Sequence, residues 1–321
     1  RHKATGCEVF HIKNNDRENL FSFIFMTPPK DDCGTAHIME HSVLAGSESF
    51  PVKDPFLQLM KGSVNTFLNA MTYPDKTVYP VASCNDKDFQ NLMDVYMDAV
   101  FYPNIYKREE IFKQEGWHYE LDSLDGDIEI SGVVYNEMKG NYSNFQQRAF
   151  SEVVKNMFPE SYPAFDSGGD PLEIPNLTYQ QFLDFHQKFY NPDNCILFFY
   201  GDIPTADQLD FLNERFMKRI EEKYNCTADV ENYDSKLPII KPEIAELQKL
   251  NLVKKSGFVK SYAPETGSTG NLVCMNWYSG TPNMEKYYIS EVISGNDSSP
   301  LNKALKESKL GDELNTGNFG Q

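Results

Sequence analysis

One stretch constrains this chain more than any other. Residues 34–46, GTAHIMEHSVLAG, carry His37, Glu40 and His41 in the order His-x-x-Glu-His. No Pro or Gly interrupts the run between Thr35 and Ala45, and its residues suit a helix. On a helix, positions i and i+4 lie one above the other, so His37 and His41 point the same way, about one turn apart. Two imidazoles so placed can share one Zn²⁺. Glu40 falls on the neighbouring flank. It is too close in sequence to be needed as the third ligand and well placed to hold a water on the metal. The order is the inverse of the more familiar His-Glu-x-x-His zinc pattern. The competing reading is an amphipathic helix with two surface or capped histidines. The chain has only 6 His, and two of them share this face, which favours the metal.

A length of 321 residues suggests two domains, or one large domain plus part of another. With 40% hydrophobic and 24% charged residues the chain reads as globular and soluble, and no apolar run approaches a membrane span. Arg1 to Glu8 is polar and no apolar segment with a small-residue cleavage site follows, so no signal peptide is expected. That fits a bacterial cytoplasm, and equally a mature mitochondrial or plastid matrix protein. Cys7, Cys33, Cys84, Cys195, Cys226 and Cys274 form no Cys-x-x-Cys, which argues against a cysteine zinc site or a disulfide framework. The net charge of −17 disfavours nucleic acid. It favours basic peptides if the acidity is focused in a cavity, and nothing in particular if it is spread over a solvated surface.

Along the chain, 7–12 and 20–26 read as strands, the second aromatic-rich and buried on both faces. Asp31 and Asp32 are available to cap the His-x-x-Glu-His helix. Asp54-Pro55 opens a short helix presenting Phe56, Leu57 and Met60, for which pattern alone favours core packing. Residues 63–81 read as strand-like runs around a Tyr-Pro-Asp-Lys turn, unusually polar at Asn65, Thr66, Asn69 and Thr72. Helices are expected over Asn85–Phe101, Arg108–Leu121, 132 to about Met157, Thr178–Tyr190 and Pro204–Tyr224, with a strand at Cys195–Tyr200. Composition does not choose Glu137 over Glu115, Glu120 or Glu129 for any role.

Hairpin-like strand pairs alternating with long helices indicate an α+β fold. The expected organisation is a module over 1–224, a linker over 225–255 and an incomplete second unit over 256–321. In that unit 257–263 and 272–278 look like strands, and Pro282–Ile293 and Pro300–Ser308 like helices.

The segments HIMEHSVLAGS, DPFLQLMKGS, NTFLNAMTYPDKTVYP, DFQNLMDVYMDAVFYP, QEGWHYEL, GVVYNEMKG and SGGDP occur in this order and spacing. Together they resemble the presequence protease branch of the pitrilysin-like zinc metallopeptidases. The likeness runs from about Thr5 to Ile203 and continues more loosely to about Leu314. It implies a mostly antiparallel sheet with helices packed on it, followed by the beginning of a second related module. It implies one Zn²⁺ held by His37, His41 and Glu137, with Glu40 as general base. The strand around Asn65, Asn69, Ala70 and Thr72 would bind a peptide as an added strand, and Phe56, Leu57 and Met60 would line an apolar pocket beside the scissile bond. The implied activity is endopeptidase cleavage of short unstructured peptides, presequence-like or otherwise.

Family members are longer, with four related modules forming two halves around a chamber. The far half supplies an Arg and a Tyr to the transition state. This sequence therefore reads as an N-terminal portion, weak or inactive alone, with that half as a partner in cis or in trans. A non-catalytic assembly or partner subunit is the rival from another class. Such relatives tend to lose ligands or the base, and Glu40 is present here.

Overall fold

The computed structural model of the chain describes residues 1–53, 55–224, 241–251, 273, 274, 276 and 284–309. It divides into two compact units, Arg1–Gly270 and Asn271–Gln321.

The first unit is built on a six-stranded sheet. Its strands are β1 (Glu8–Lys13), β2 (Asn19–Met26), β3 (Asn65–Leu68), β4 (Met71–Thr72), β5 (Lys76–Ser83) and β8 (Cys195–Gly201). The order is β1-β8-β2-β5-β3, with β4 also pairing β5. Only β1 and β8 run parallel; the other pairs are antiparallel. Period-2 alternation puts Phe21, Phe23 and Phe25 of β2 on one face, beside Leu197 and Phe199 of β8 and Tyr79 and Val81 of β5, and all seven are fully buried.

Helix α3 (Asp86–Phe101) covers that face with Phe89, Leu92, Met93, Tyr96 and Val100, spaced at i+3 and i+4. Phe21 meets Phe89 edge-on at 5.5 Å, and Phe25 stacks on Tyr190 at 4.5 Å. Each such ring removed from water stabilises the fold by about 1.5–3 kcal/mol. The remaining helices are α1 (Thr35–Val43), α2 (Pro55–Gly62), α4 (Glu109–Glu115), α5 (Val133–Tyr142), α6 (Phe145–Met157), α7 (Tyr179–Phe189), α8 (Thr205–Leu212), α9 (Lys218–Tyr224) and α10 (Pro242–Leu247). A two-stranded ribbon pairs β6 (His118–Glu120) with β7 (Glu129–Ser131).

Three local expectations need correction. Helix α4 ends at Glu115 rather than running to Leu121. Gly116 caps it, its N–H reaching Phe112 O at 2.8 Å, and the chain turns into β6. A Cβ at Gly116 would lie 3.1 Å from Ile38 of α1, so this turn packs tightly against the His-x-x-Glu-His helix. The long helix toward Met157 is two helices, because Asn144 restarts it by accepting from the N–H groups of Gln146 and Gln147. Asp31 and Asp32 do not cap α1. Its N-cap is Gly34 at φ 66°, while Asp31 accepts from Cys33 N and Asp32 accepts from Asp166 N and pairs with Lys155. A side chain at Gly34 would meet Gly168 O at 2.6 Å, so glycine is required both for the left-handed turn and for the close approach of residues 168–169.

Within 225–255, α10 belongs to the first unit. Ile244 is buried there, and Gln248 donates to Asp75 at 3.1 Å. Asp54, expected to cap α2, lies outside the described residues, as do the strands expected at 257–263 and 272–278 but for residues 273, 274 and 276. In the second unit, α11 (Met284–Ser294) and α12 (Pro300–Ser308) are joined by Asn302, which donates to Ser294 O and Asn296 O.

Candidate metal centre

The expected helix exists, and α1 carries both histidines on one side. Their ring centroids are 4.9 Å apart and their planes cross at 78°. Helix α5 brings Glu137 to them. Its Val134, Met138 and Tyr142 are buried, and Glu137, three residues after Val134, stands on the flank of that face with its side chain half-exposed. Glu137 Oε2 lies 3.7 Å from His37 Nε2 and 3.9 Å from His41 Nε2. One donor atom from each of the three residues falls within 4.8 Å of the others, the one such cluster of three or more among the described residues. These distances are too long for hydrogen bonds. The two Glu137 contacts are a few tenths of an ångström beyond the separation of about 3.3–3.5 Å that bonds of about 2.0–2.2 Å impose on tetrahedral ligands.

The other ring nitrogens are occupied. His37 Nδ1 lies 3.3 Å from Gly168 O, and His41 Nδ1 lies 3.5 Å from Glu115 Oε2. A protein acceptor on Nδ1 places that ring's proton there and leaves the Nε2 lone pair facing Glu137. This is the donor chemistry a divalent cation such as Zn²⁺ takes: two imidazole nitrogens and one carboxylate oxygen, with room for a fourth group. Burial opposes a charge on His41, but Glu115, Glu40 and Glu137 outweigh it and hold its pKa above the ordinary value. A cation would replace that proton in neutralising the same carboxylates.

Glu40 is buried at 7% exposure, and its Oε2 accepts from the Thr72 hydroxyl at 2.6 Å. The residues expected to contact a peptide fall on two elements. On α2, Phe56 is half-buried against the core while Leu57 and Met60 are 45% and 51% exposed, so the core-packing alternative holds only for Phe56. Asn65 lies on β3, the strand that ends the sheet order. Asn69 is exposed; its N–H reaches Pro80 O at 3.2 Å and its side chain accepts from Ala70 N. Thr72 ends β4 opposite Thr77.

Two contributors were not singled out from the sequence. Glu115 was one acid among four, and Gly168 is one glycine of a loop. No sequence signal links either to α1, because only the packing of α4 and of residues 166–170 brings them there. Glu120 and Glu129 pair across the β6–β7 ribbon, both exposed.

Residues 26–138, which include His37, Glu40, His41 and Glu137, match the family described as insulinase (peptidase family M16). Residues 176–321 match the peptidase M16 inactive domain. The chain is 41% identical to Protein HypA of Clostridium perfringens over 99% of its length and 32% of the relative's. It is 41% identical to presequence protease 1, chloroplastic/mitochondrial, of Arabidopsis thaliana, over 98% of the chain and 28% of that protein. It is 37% identical to the mitochondrial presequence protease of Danio rerio, over 98% and 30%. The chain thus spans about a third of the length of these curated relatives. Among solved structures, pitrilysin superposes with a TM-score of 0.51 at 20% identity, over 66% of this chain and 22% of that one, a likeness of fold. No helix among the described residues is long and apolar enough to cross a membrane.

Proposed function

The chain belongs to peptidase family M16 and is presequence-protease-like within it; from that premise we propose that it is the metal-bearing part of a zinc metalloendopeptidase acting on short, unstructured peptides. The convergence of His37 Nε2, His41 Nε2 and Glu137 Oε2, with both Nδ1 atoms occupied by protein acceptors, carries this reading. His37, His41 and Glu137 would hold the ion, and Gly168 and Glu115 orient the two rings. When bound, Zn²⁺ supplies a Lewis acid that acidifies water and polarises a peptide carbonyl.

The chain's own residues supply the rest. Glu40 takes a proton from the attacking water and returns it to the leaving amine. The outer edge of β3 and β4 offers backbone groups to an extended peptide, a mode that reads shape more than sequence. Leu57 and Met60 give an apolar side chain of that peptide a surface. Basic peptides fit this reading where the net charge of −17 is focused on the wall that faces the peptide. The compartment that fits is a bacterial cytoplasm, or a mitochondrial or plastid matrix. The further length of the relatives is the partner that completes the chamber. The match of 176–321 to an inactive domain gives a second reading, a non-catalytic subunit. All four site residues lie outside that match, which supports the peptidase.

The test is Glu40→Gln in the full-length protein. It should keep one Zn²⁺ per chain by metal analysis and lose about 10²–10⁴-fold in peptide hydrolysis, the usual contribution of a positioned base. Full retained activity would remove Glu40 from its role, and lost metal would make it a ligand. A wild-type protein that binds no zinc and cleaves no peptide would favour the subunit reading.

A further inference from the structure

The general base assigned above is a buried carboxylate, and among the described residues its one hydrogen bond is the hydroxyl of Thr72, at 2.6 Å from Glu40 Oε2. That is the length of a charge-assisted O–H···O⁻ bond. Thr72 is itself held in place. It pairs with Thr77 across the β4–β5 hairpin, which Tyr73 N closes on Lys76 O at 2.8 Å. Thr77 is fully buried, and its hydroxyl meets that of Thr27 at 2.8 Å. The donor therefore stands on a rigid strand end while the acceptor stands on α1. The terminal torsion of a glutamate is broad and roughly two-fold, so a carboxylate tied at neither oxygen samples many orientations. Tying Oε2 leaves Oε1 as the oxygen that can face a water.

We propose that Thr72 is a positioning residue for the Glu40 carboxylate rather than a side-chain contact for the peptide. This rests on the reading of Glu40 as general base. Its consequence is a division of labour on one short strand: the backbone of β4 offers peptide-binding groups, and the side chain of Thr72 orients the base. Removing the hydroxyl leaves the ion ligands and the peptide-binding edge in place, but lets the base rotate out of line. Geometry of this kind is where small misplacements are costly.

The experiment compares Thr72→Val, which keeps shape and loses the hydroxyl, with Thr72→Ser, which keeps the hydroxyl, in the full-length zinc-loaded protein with a basic oligopeptide. The valine variant should lose roughly 10–100-fold in kcat, with KM within about twofold and zinc content unchanged. The serine variant should recover most of that loss. A second measurement is independent of turnover. In a Glu40→Gln background, peptide Kd by titration calorimetry should be the same with and without the Thr72→Val change, and the valine should cost no further residual rate. A raised KM or weakened Kd with kcat intact would make Thr72 a substrate contact and overturn the proposal. Serine as impaired as valine would assign the effect to packing and overturn it too. If Glu40→Gln itself stays active, the base reading fails and Thr72 loses its role with it. If that variant is dead and Thr72→Val is not, only the positioning role fails.

Discussion

Two histidine environments in the first unit differ in one respect that separates a candidate ligand site from a structural histidine. His186 of α7 is 1% exposed and both ring nitrogens have protein partners. Nε2 donates to Val100 O at 2.9 Å, so Nδ1 accepts from the Tyr106 hydroxyl at 2.8 Å. Burial pushes its pKa down to about 3, only partly offset by the Val100 carbonyl, so the ring is neutral and its hydrogen bonding complete. His37 and His41 also use one nitrogen each on the protein. Their second nitrogens, however, converge on the half-exposed carboxylate of Glu137. A histidine available to a metal is thus recognised by the nitrogen its own fold leaves open, and burial alone is no guide.

The largest effect expected from this contrast comes from exchanging the two environments' roles. His41→Ala and Glu137→Ala should each lose stoichiometric zinc and with it all hydrolysis above background, while changing stability little beyond the loss of the ion. His186→Phe should do the reverse. It leaves the Val100 carbonyl without its His186 donor, at about 1–3 kcal/mol, and keeps the zinc. Urea unfolding and metal analysis on the same samples check both; zinc loss in His186→Phe would break the comparison.

Glu115→Gln sharpens it. Gln can still accept from His41 Nδ1 but lacks the charge, and lost outer-shell partners typically cost about 10–100-fold in metal affinity. Competition with a chelator measures this, and an unchanged affinity would show that the charge of Glu115 contributes nothing beyond the acceptor that Gln retains.

The smallest effect is a pH slope. The folded pKa of His186 lies below the unfolded value, so between about pH 6.5 and 3 the unfolded chain binds the proton and the folded one does not. The stability contributed by the neutral ring is therefore complete above about pH 6.5. It should fall by about 1.4 kcal/mol per pH unit as pH drops below that. Denaturant unfolding between pH 7 and 5 should show this slope, and His186→Gln should flatten it.

The central motif was legible because its information is local. The i, i+4 spacing of His37 and His41 faces both rings one way in any helix, and the apolar period of α3 needed nothing beyond the chain's own pattern. The apolar runs of β2 and β8 marked them as strands, but burial of β2 on both faces was expected where Leu20, Ile24 and Met26 are only half-buried. Helix ends were less legible. Gly116 and Asn144 each stop or restart a helix by an individual hydrogen-bonding geometry that average propensity does not resolve. The acids were not legible from composition at all. Glu115, Glu120, Glu129 and Glu137 are alike as residues, and only the likeness to a family preferred Glu137.

The sequence by itself therefore determined that two imidazoles would share a helix face with a glutamate beside them, since 3.6 residues per turn requires it. Only the tertiary structure decided which carboxylate meets the open nitrogens and which takes the closed one. It also decided that Thr72 gives its hydroxyl to Glu40. Those partners lie 32 to 131 positions apart in the chain, with their separation closed by core packing, and no local pattern encodes which of several like groups that packing will deliver.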